Sequence, residues 1–346
     1  MRKFKKLLAV GACLCMSLSL LTGCGSGSGN ASGSGSSDSG TKQESTKSSD
    51  LSFAFCTNTL NNTFQSSIDA KLKELCDAKL KELCDANGIS YTCLDPDYDL
   101  NTQLSQLSDV ANSGYDAVFI IPVDSAGITS GLAEIKDAGI PIFNVDTAVI
   151  EDDIENFVTQ FVGTNAYMAG QLVGEQMAKD YPDGADIAIL DFPSNESCVD
   201  RVNGFLDGLG DNKDKFNIVA QQDGEAALDA SMSLAEDIIT ANTDLQAFFC
   251  INDPSALGAA AAVKAANKTG QIGVYSIDAS PDGKQALLDG EFTAVACQVP
   301  VQIAEYAFNA AQKYVGGDTT IDEKKVYLDS HLVLKDEAEQ TVNDWQ

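Results

Sequence analysis

The sequence predicts an α/β protein with doubly wound parallel sheets, in a chain of 346 residues that is long enough for two domains or one large one. Short apolar segments alternate with helical segments from Leu51 onward. The apolar segments are nearly continuous, as expected for parallel strands that are covered on both faces. Polar residues directly follow most of them, and ligands of such folds bind beyond the carboxyl ends of the strands.

The predicted strands are apolar runs bounded by polar residues and glycines. In chain order they are Ser52–Thr57, Ser90–Leu94, Ala117–Pro122, Pro141–Val145, Phe157–Gly163, Asp186–Asp191, Asn217–Gln221, Ala247–Ile251, Gly273–Ile277, Ala294–Gln298 and Val326–Leu334. Helical periodicity fills the gaps between them. Its clearest segments are Asn101–Ser113, Ser125–Ala138, Tyr167–Lys179 and Ser255–Asn267.

The helix predicted after the first strand contains a tandem repeat. Residues 70–77 read AKLKELCD, and residues 78–85 repeat them letter for letter. Both copies consist of strong helix formers, so the repeat predicts a longer first helix. A solenoid would need longer units and at least three copies. We therefore expect a neutral duplication that extends one surface helix.

The N-terminus predicts a lipoprotein signal peptide over residues 1–23. Four basic residues precede an apolar run that ends at Leu21 and is too short to span a membrane. Residues 21–24 read LTGC, which resembles the bacterial lipobox, in which the cysteine after the cleavage site carries diacylglycerol. Cys24 is therefore the predicted lipidation site. The alternative is an ordinary signal peptide with a chance cysteine.

The segment 24–50 connects this cysteine to the folded part of the chain. After Cys24 it consists almost entirely of Gly, Ser and other polar residues, which cannot form a core and predict a flexible tether. A lipid anchor on a tether implies a domain that works at the outer face of the cell membrane, in contact with the bilayer through Cys24.

The charge balance excludes several partners. Lys and Arg number 22 against 51 Asp and Glu, for a net charge of −29. A nucleic-acid-binding protein needs a basic surface, so no nucleic-acid partner is expected. The acidic body would also be repelled by an anionic membrane surface. Acidity disfavours anionic ligands, although one local arginine can override the overall field.

The sequence has 10 cysteines, of which Cys13 and Cys15 leave with the signal peptide and Cys24 is the predicted lipid carrier. The remaining ones are Cys56, Cys76, Cys84, Cys93, Cys198, Cys250 and Cys297. An odd number cannot all pair, and no CxxC spacing indicates zinc or redox chemistry. Several lie in apolar runs, where a thiol behaves as a small hydrophobe. We predict free thiols rather than a disulfide framework.

Polar motifs recur in order at the ends of the predicted strands. They are TLNNTF at 59–64, IPVDS at 121–125, IPIFNVD at 140–146, RVNGF at 201–205, INDPSALG at 251–258, SIDASPDG at 276–283 and QVP at 298–300. The set resembles the ribose/galactose-type substrate-binding proteins of bacterial sugar importers, which have the type I periplasmic-binding-protein fold. The resemblance covers roughly residues 51–334.

The resemblance implies two similar lobes, joined by a hinge of three chain segments, with the ligand in the cleft between them. The first lobe would comprise 51–163 plus 299–326 and the second 164–298 plus 327–338, followed by a C-terminal tail at 339–346. Matched position by position, the sugar contacts would be Asn62, Phe64, Asp146, Arg201, Asn252, Asp278 and Gln298.

The chemistry of these side chains suits a neutral polyol. Ionised Asp accepts hydrogen bonds from hydroxyls, Arg donates in a fork, and Asn and Gln do both. A flat ring such as Phe64 can cover the C–H face of a sugar. Simpler interpretations stay open for the single residues: Asn252 and Asp253 could cap a helix, Asp278 could belong to a turn, Arg201 to a surface ion pair, and Phe64 to the core.

The sequence also departs from the ribose-binding pattern. Gln65 stands where that pattern has a second Phe, Ile121 where it has Asn, and Thr147 where it has Arg. Another Phe of the pattern falls near Ala226. These changes argue against ribose itself and leave a small polyhydroxylated ligand as the expected class.

Signatures of catalysis are missing from the sequence. The one histidine, His331, falls in the last predicted strand and is expected to be solvated there. We find no Walker loop and no GxGxxG after a strand, and we predict neither a cofactor nor an enzyme. Paired aspartates can hydrolyse glycosides in principle, so a secreted glycoside hydrolase is kept as a distant alternative.

The sequence as a whole predicts an extracytoplasmic, lipid-anchored binding protein of an ATP-binding-cassette importer. It would capture a small neutral sugar or sugar alcohol by closing its cleft, because a bridging ligand makes contacts that only the closed form offers. It would then deliver the sugar, as a monomer, to a membrane permease. The alternative within the same fold is a sensory protein that presents a sugar to a membrane receptor.

Overall fold

A computed structural model describes residues 51–82, 89–333 and 335–345. The predicted signal peptide, Cys24 and the tether up to residue 50 lie outside the described residues. Cys84 and the end of the second AKLKELCD copy, residues 83–85, lie outside them as well.

The first of two six-stranded sheets takes its strands from both ends of the described chain. They are β1 (Leu51–Cys56), β2 (Ile89–Leu94), β3 (Ala117–Ile120), β4 (Ile142–Val145), β5 (Gln160–Thr164) and β11 (Lys325–Leu328). All neighbours are parallel, in the order β11-β5-β4-β3-β1-β2. The helices of this part are α1 (Thr63–Glu82), α2 (Leu100–Ser113), α3 (Thr129–Asp137), α4 (Glu151–Asn156) and α10 (Pro300–Val315).

The second sheet is formed by β6 (Asp186–Asp191), β7 (Asn217–Asp223), β8 (Ala247–Cys250), β9 (Gly273–Asp278), β10 (Ala294–Cys297) and β12 (Leu332–Val333). Its order is β12-β10-β9-β8-β6-β7, and the short β12 pairs antiparallel with β10 at the edge. Its helices are α5 (Ala166–Asp180), α6 (Glu196–Gly208), α7 (Leu228–Ala241), α8 (Asp253–Ala265), α9 (Pro281–Leu288) and α11 (Lys335–Thr341).

Each sheet with its helices forms one lobe, called here the first and the second lobe. The fold class predicted from the sequence is therefore confirmed. The chain passes from one sheet to the other after β5, returns after β10, and leaves the first sheet again after β11. Two of these crossings touch each other, since the backbone N–H of Val299 donates to Thr164 Oγ1 at 3.4 Å.

The last predicted strand, Val326–Leu334, is wrong as a single element. Residues 326–328 belong to β11 in the first sheet and residues 332–333 to β12 in the second. The intervening residues cross between the lobes, and His331 lies there rather than in a strand. Its Nδ1 is 3.1 Å from the Cys297 sulfur, and its Nε2 is 2.7 Å from Glu337 Oε1.

Two other boundaries also differ from the sequence-based ones. The strand predicted from Phe157 begins only at Gln160, because α4 extends to Asn156 and a short connection follows. The tail predicted from residue 339 is helical at first, since α11 ends at Thr341.

The first copy of the repeat is part of the core as well as of the surface. Leu72 and Cys76 follow Ile68 at intervals of four residues, and all three are buried. This stripe lies on α1, which packs against α10. The cysteines within the described ranges, namely Cys56, Cys76, Cys93, Cys198, Cys250 and Cys297, are free thiols.

Candidate functional site

A cavity between the lobes lies at the carboxyl ends of the strands. Its lining includes all seven residues predicted from the sequence: Asn62, Phe64, Asp146, Arg201, Asn252, Asp278 and Gln298. The space in it that no atom fills is about 530 Å³, open solvent at its mouth included, which lies within the roughly 300–1,000 Å³ of small-molecule sites.

The backbone around the cavity is strained. Tyr98 (φ 61°), Asp146 (φ 63°), Ala226 (φ 51°) and Asp278 (φ 135°) are non-glycine residues with positive φ, and each lines the cavity. Such conformations cost of order 1–3 kcal/mol each and cluster at binding sites, where they aim side chains. The strain is therefore concentrated where strand ends present polar groups to the cavity.

Asp278 occupies the centre of the second lobe's wall and is 3% exposed. Its Oδ1 accepts from Gln298 Nε2 at 2.6 Å, and its Oδ2 accepts from the backbone N–H of Asp253 at 3.1 Å. Burial raises the pKa of the Asp278 carboxyl, while the Arg201 guanidinium opposes that rise. The two oxygens are thus fixed before any ligand arrives.

Asp253 is buried behind Asp278 and is not an ordinary helix cap. Its carboxylate accepts from Ser276 Oγ at 2.7 Å, from the Ser280 N–H at 2.8 Å and from Ser280 Oγ at 2.7 Å. Burial and the neighbouring Asp278 raise its pKa to about 7. The N-cap of α8 is instead Asn252, whose Oδ1 accepts from the Ser255 N–H at 3.0 Å.

Arg201 reaches the cavity from α6, which lies unusually close to α5. A Cβ on Gly170 would lie 2.0 Å from the Arg201 carbonyl oxygen, so this approach requires a residue without a side chain. Arg201 Nη1 donates to the Ile251 carbonyl at 2.7 Å and lies 3.6 Å from Asp278 Oδ1. Its buried Nε has no hydrogen-bond partner among the described residues. Arg201 thus lines the cavity while one of its buried donors stays unused.

The first lobe's wall centres on Asp146. Burial raises the pKa of this carboxyl to about 6, although the Arg201 guanidinium and a hydrogen bond from Thr147 favour its charged form. Thr147 Oγ1 donates to Asp146 Oδ2 at 3.1 Å and accepts from Asn195 Nδ2 of the second lobe at 3.2 Å. Asp146 is therefore linked to the opposite lobe through one hydroxyl.

The amide residues of the site also organise the local backbone. Asn62 Oδ1 accepts from the Phe64 N–H at 2.8 Å at the start of α1. Asn252 Nδ2 donates to the Ala226 carbonyl at 3.1 Å, in addition to the capping bond. Asn252 therefore both caps α8 and lines the cavity. Phe64 is likewise both a buried core residue and part of the lining.

Comparison with known proteins agrees with this architecture. The periplasmic binding protein domain matches residues 53–319. The chain belongs to this family. It is 28% identical over 284 residues to a ribose import binding protein of Salmonella typhimurium, covering 82% of this chain and 90% of that one.

Two further relatives are named for galactofuranose. The chain is 29% identical over 261 residues to a galactofuranose-binding protein of Escherichia coli, covering 73% of this chain and 80% of that one. A crystal structure of a galactofuranose-binding protein has a TM-score of 0.76 at 25% identity, covering 84% of this chain and 96% of that one. Sugar-binding members of the periplasmic binding protein family thus share the fold over nearly the whole described part.

The sequence motifs did not identify every residue of this periplasmic binding protein's cavity. Tyr98 follows β2 and lines the cavity, although it is 47% exposed. Gln65 lines it too, and its buried Oε1 has no partner within the described ranges. Asn195 completes the link between the lobes. Tyr98 stands four residues beyond the end of β2, so the search for polar residues directly after strands does not indicate it.

No helix in the described part of the chain is long and apolar enough to cross a membrane.

Proposed function

We propose that this protein captures one small neutral sugar or sugar alcohol in the cavity between its lobes, for an ATP-binding-cassette importer. The observation that carries the proposal is the ring of donors and acceptors from both lobes around one cavity. Asp146 and Asp278 accept hydrogen bonds from sugar hydroxyls, Arg201 donates hydrogen bonds, and the side-chain amides do both. The ribose and galactofuranose proteins to which the chain is similar support a sugar as ligand.

The charge around the cavity favours a neutral ligand over an anion. Asp146 and Asp278 face the single guanidinium of Arg201. An anionic sugar phosphate would meet two carboxyl groups in a buried setting, where repulsion is weakly screened. We therefore expect pentoses, hexoses or polyols, with Asn62, Phe64, Asn252 and Gln298 completing the set of contacts.

Closure of the lobes is the expected mode of capture. We place the lobe boundaries close to those predicted from the sequence, except that Thr164 at the end of β5 and residues 327–328 of β11 belong to the first lobe. Sugar contacts come from both lobes. A sugar held by Asp146 on one side and Asp278 on the other favours the closed form by the contacts it adds there. The closed, monomeric protein would then dock on a membrane permease and release the sugar without catalysing a reaction.

The proposal places the protein outside the cytoplasm, anchored through lipid on Cys24. The lipobox-like LTGC and the polar tether support this location. We expect Cys24→Ala to lose lipid labelling and to leave the membrane fraction while it binds sugar as the wild type does. Continued fractionation of that variant with membranes would contradict the anchoring.

A thermal-shift screen tests the binding function. The panel contains pentoses, hexoses in pyranose and furanose forms, and polyols including inositols, with sugar phosphates as the anionic controls. A bound sugar at 100 times its Kd stabilises the fold by about 2.7 kcal/mol, which is a clear rise in Tm. A shift with a neutral sugar and none with its phosphate supports the proposal. A panel without any shift contradicts it.

A further inference from the structure

The segment after α11 is tied to the second lobe by a buried lysine. Lys284 on α9 is 0% exposed. Its ammonium donates to the backbone carbonyl of Asp344 at 2.5 Å and to Thr341 Oγ1 at 3.4 Å. Burial lowers the pKa of Lys284, and α11 packs against α9. A buried ammonium needs such partners, so the end of the chain is held in place on this lobe.

The next residue reaches the first lobe. The rings of Trp345 and Phe64 meet edge to face, with centroids 5.4 Å apart and an interplanar angle of 82°. Phe64 lies on α1 and lines the cavity between the lobes. The chain end thus joins a lysine of one lobe to a site residue of the other.

We propose that the C-terminal segment, residues 342–345, is a strap between the lobes, in which Trp345 positions the Phe64 ring at the ligand cavity and stabilises the closed arrangement. The role of Phe64 as a sugar contact rests on the proposed function. The strap itself rests on the two contacts above, and the segment lies beyond residues 53–319 that match the family domain.

The strap acts through a difference between two arrangements of the lobes. When the lobes separate, Trp345 stays with Lys284 on one lobe while Phe64 leaves with the other. The ring pair is then lost, so its free energy favours only the closed form. An edge-to-face pair changes such an equilibrium by about threefold to tenfold. Affinity for a bridging sugar should change by the same factor.

The chain offers a specific reporter, because Trp345 is its only tryptophan. Excitation of tryptophan alone follows this one ring. We expect Phe64→Ala and Lys284→Met to shift its emission to the red and to increase its quenching by acrylamide. Lys264→Met is the matched control, since Lys264 is an exposed lysine that pairs with Glu291 on the surface. Unchanged emission in both test variants would overturn the strap.

The decisive variants are Trp345→Ala, Trp345→Phe and a chain that ends at Thr341, with Tyr306→Ala as the control for loss of a half-exposed ring elsewhere. For the neutral sugar with the largest thermal shift in the panel, Trp345→Ala and the shortened chain should bind about threefold to tenfold more weakly, through faster dissociation. Trp345→Phe should restore most of the loss. Wild-type affinity and dissociation in Trp345→Ala would overturn the proposal.

A measurement without sugar separates this proposal from the proposed function. We expect small-angle scattering to give a larger radius of gyration for sugar-free Trp345→Ala than for the wild type and Tyr306→Ala. An equal radius contradicts the strap even if sugars bind. A larger radius supports it even if no sugar in the panel binds.

Discussion

The two walls of the cavity differ in how their aspartates are held. In the second lobe, Asp278 accepts from Asp253 and Gln298, and the carboxylate of Asp253 accepts three further bonds. In the first lobe, Asp146 accepts from Thr147, and the buried Gln65 Oε1 has no partner in the part of the chain that the structure describes. The aspartates of the second lobe are preorganised, whereas Asp146 in the first lobe keeps acceptor capacity for a ligand. Each wall also has one buried atom without a partner among the described residues, Gln65 Oε1 in the first and Arg201 Nε in the second.

This difference predicts that mutations in the two walls act on different quantities. Removing a member of a satisfied buried network leaves its partners unpaired and lowers stability even without ligand. Removing a carboxyl that accepts a single hydrogen bond, as Asp146 does, costs less until a ligand needs it. Stability should therefore depend on the second wall, and affinity on both.

The largest expected effect is on the stability of Asp278→Ala. The change leaves the Arg201 guanidinium, the Asp253 N–H and the Gln298 amide without their shared acceptor. We expect the free energy of unfolding of the sugar-free protein to fall by about 3 kcal/mol in urea titrations. In Asp146→Ala, which changes the opposite wall, the free energy of unfolding should fall far less. Equal losses in the two variants would abolish the distinction between the walls.

Asp253→Ala should have the next largest effect. It leaves the hydroxyl and the N–H of Ser280 without an acceptor and the Ser276 hydroxyl with only the Ile277 carbonyl at 3.3 Å, at a cost of about 2 kcal/mol of stability. The substitution keeps the backbone N–H that donates to Asp278 but removes the side-chain bonds that fix this stretch of backbone, so affinity for the best sugar of the panel should fall as well. Ser233→Ala, which removes an exposed hydroxyl bound to its own helix, is the control. A variant with wild-type stability would mean that the network does not support the site.

The raised pKa of Asp146 predicts a pH effect on stability. Its folded pKa of about 6 exceeds the ordinary value of 3.8, so the folded state binds more protons than the unfolded state between these values. The contribution of this residue therefore falls as pH rises from about 4 to about 6. Urea midpoints of wild type and Asp146→Asn across this range should diverge, with the variant gaining relative to the wild type. A constant difference would contradict the raised pKa.

The same carboxyl predicts a pH effect on binding. Sugar hydroxyls that donate to Asp146 favour its ionised form, so binding releases a proton below about pH 6. Affinity should fall by at most about tenfold per pH unit below that point and level off above it. Calorimetric titrations of wild type and Asp146→Asn from pH 4.5 to 8 give the comparison. If affinity depended on pH equally in both proteins, the effect would come from another titratable group.

The smallest expected effect is that of deleting residues 78–85. The first AKLKELCD copy keeps Leu72 and Cys76 in the core, so a shorter α1 retains its buried stripe. Stability should change by less than about 0.5 kcal/mol, and sugar affinity should not change. Insoluble protein after the deletion would show that the second copy has replaced part of the core.

The sequence predicted much of the fold because its signals are local. Near-continuous apolar runs such as Asp186–Asp191 coincide with strands, and Asp146, Asp278 and Gln298 lie at strand ends, where such folds place ligand contacts. The single last strand was wrong because alternation continues across Asp329–His331, although the chain changes sheets there. The sheet to which each residue belongs depends on the strand with which it pairs, and periodicity along the chain does not show this.

Other parts of the site could not be predicted from local patterns. Asp253 looks like a cap residue in the sequence, and its burial depends on Ser276 and Ser280, which approach only after β9 pairs. Tyr98 reaches the cavity through a backbone with positive φ, which no residue preference indicates for tyrosine. The contact between Trp345 and Phe64 joins the two ends of the described chain.

The most direct test of the account is a calorimetric titration of wild type and Asp146→Ala with the neutral sugar that gives the largest thermal shift. The proposed arrangement places a sugar hydroxyl on this carboxyl, and a charged hydrogen bond of this kind contributes about 1.5–3 kcal/mol. It therefore predicts binding about tenfold to a hundredfold weaker in the variant, with little change in the stability of the sugar-free protein. Wild-type affinity in Asp146→Ala would contradict a ligand held between the two walls.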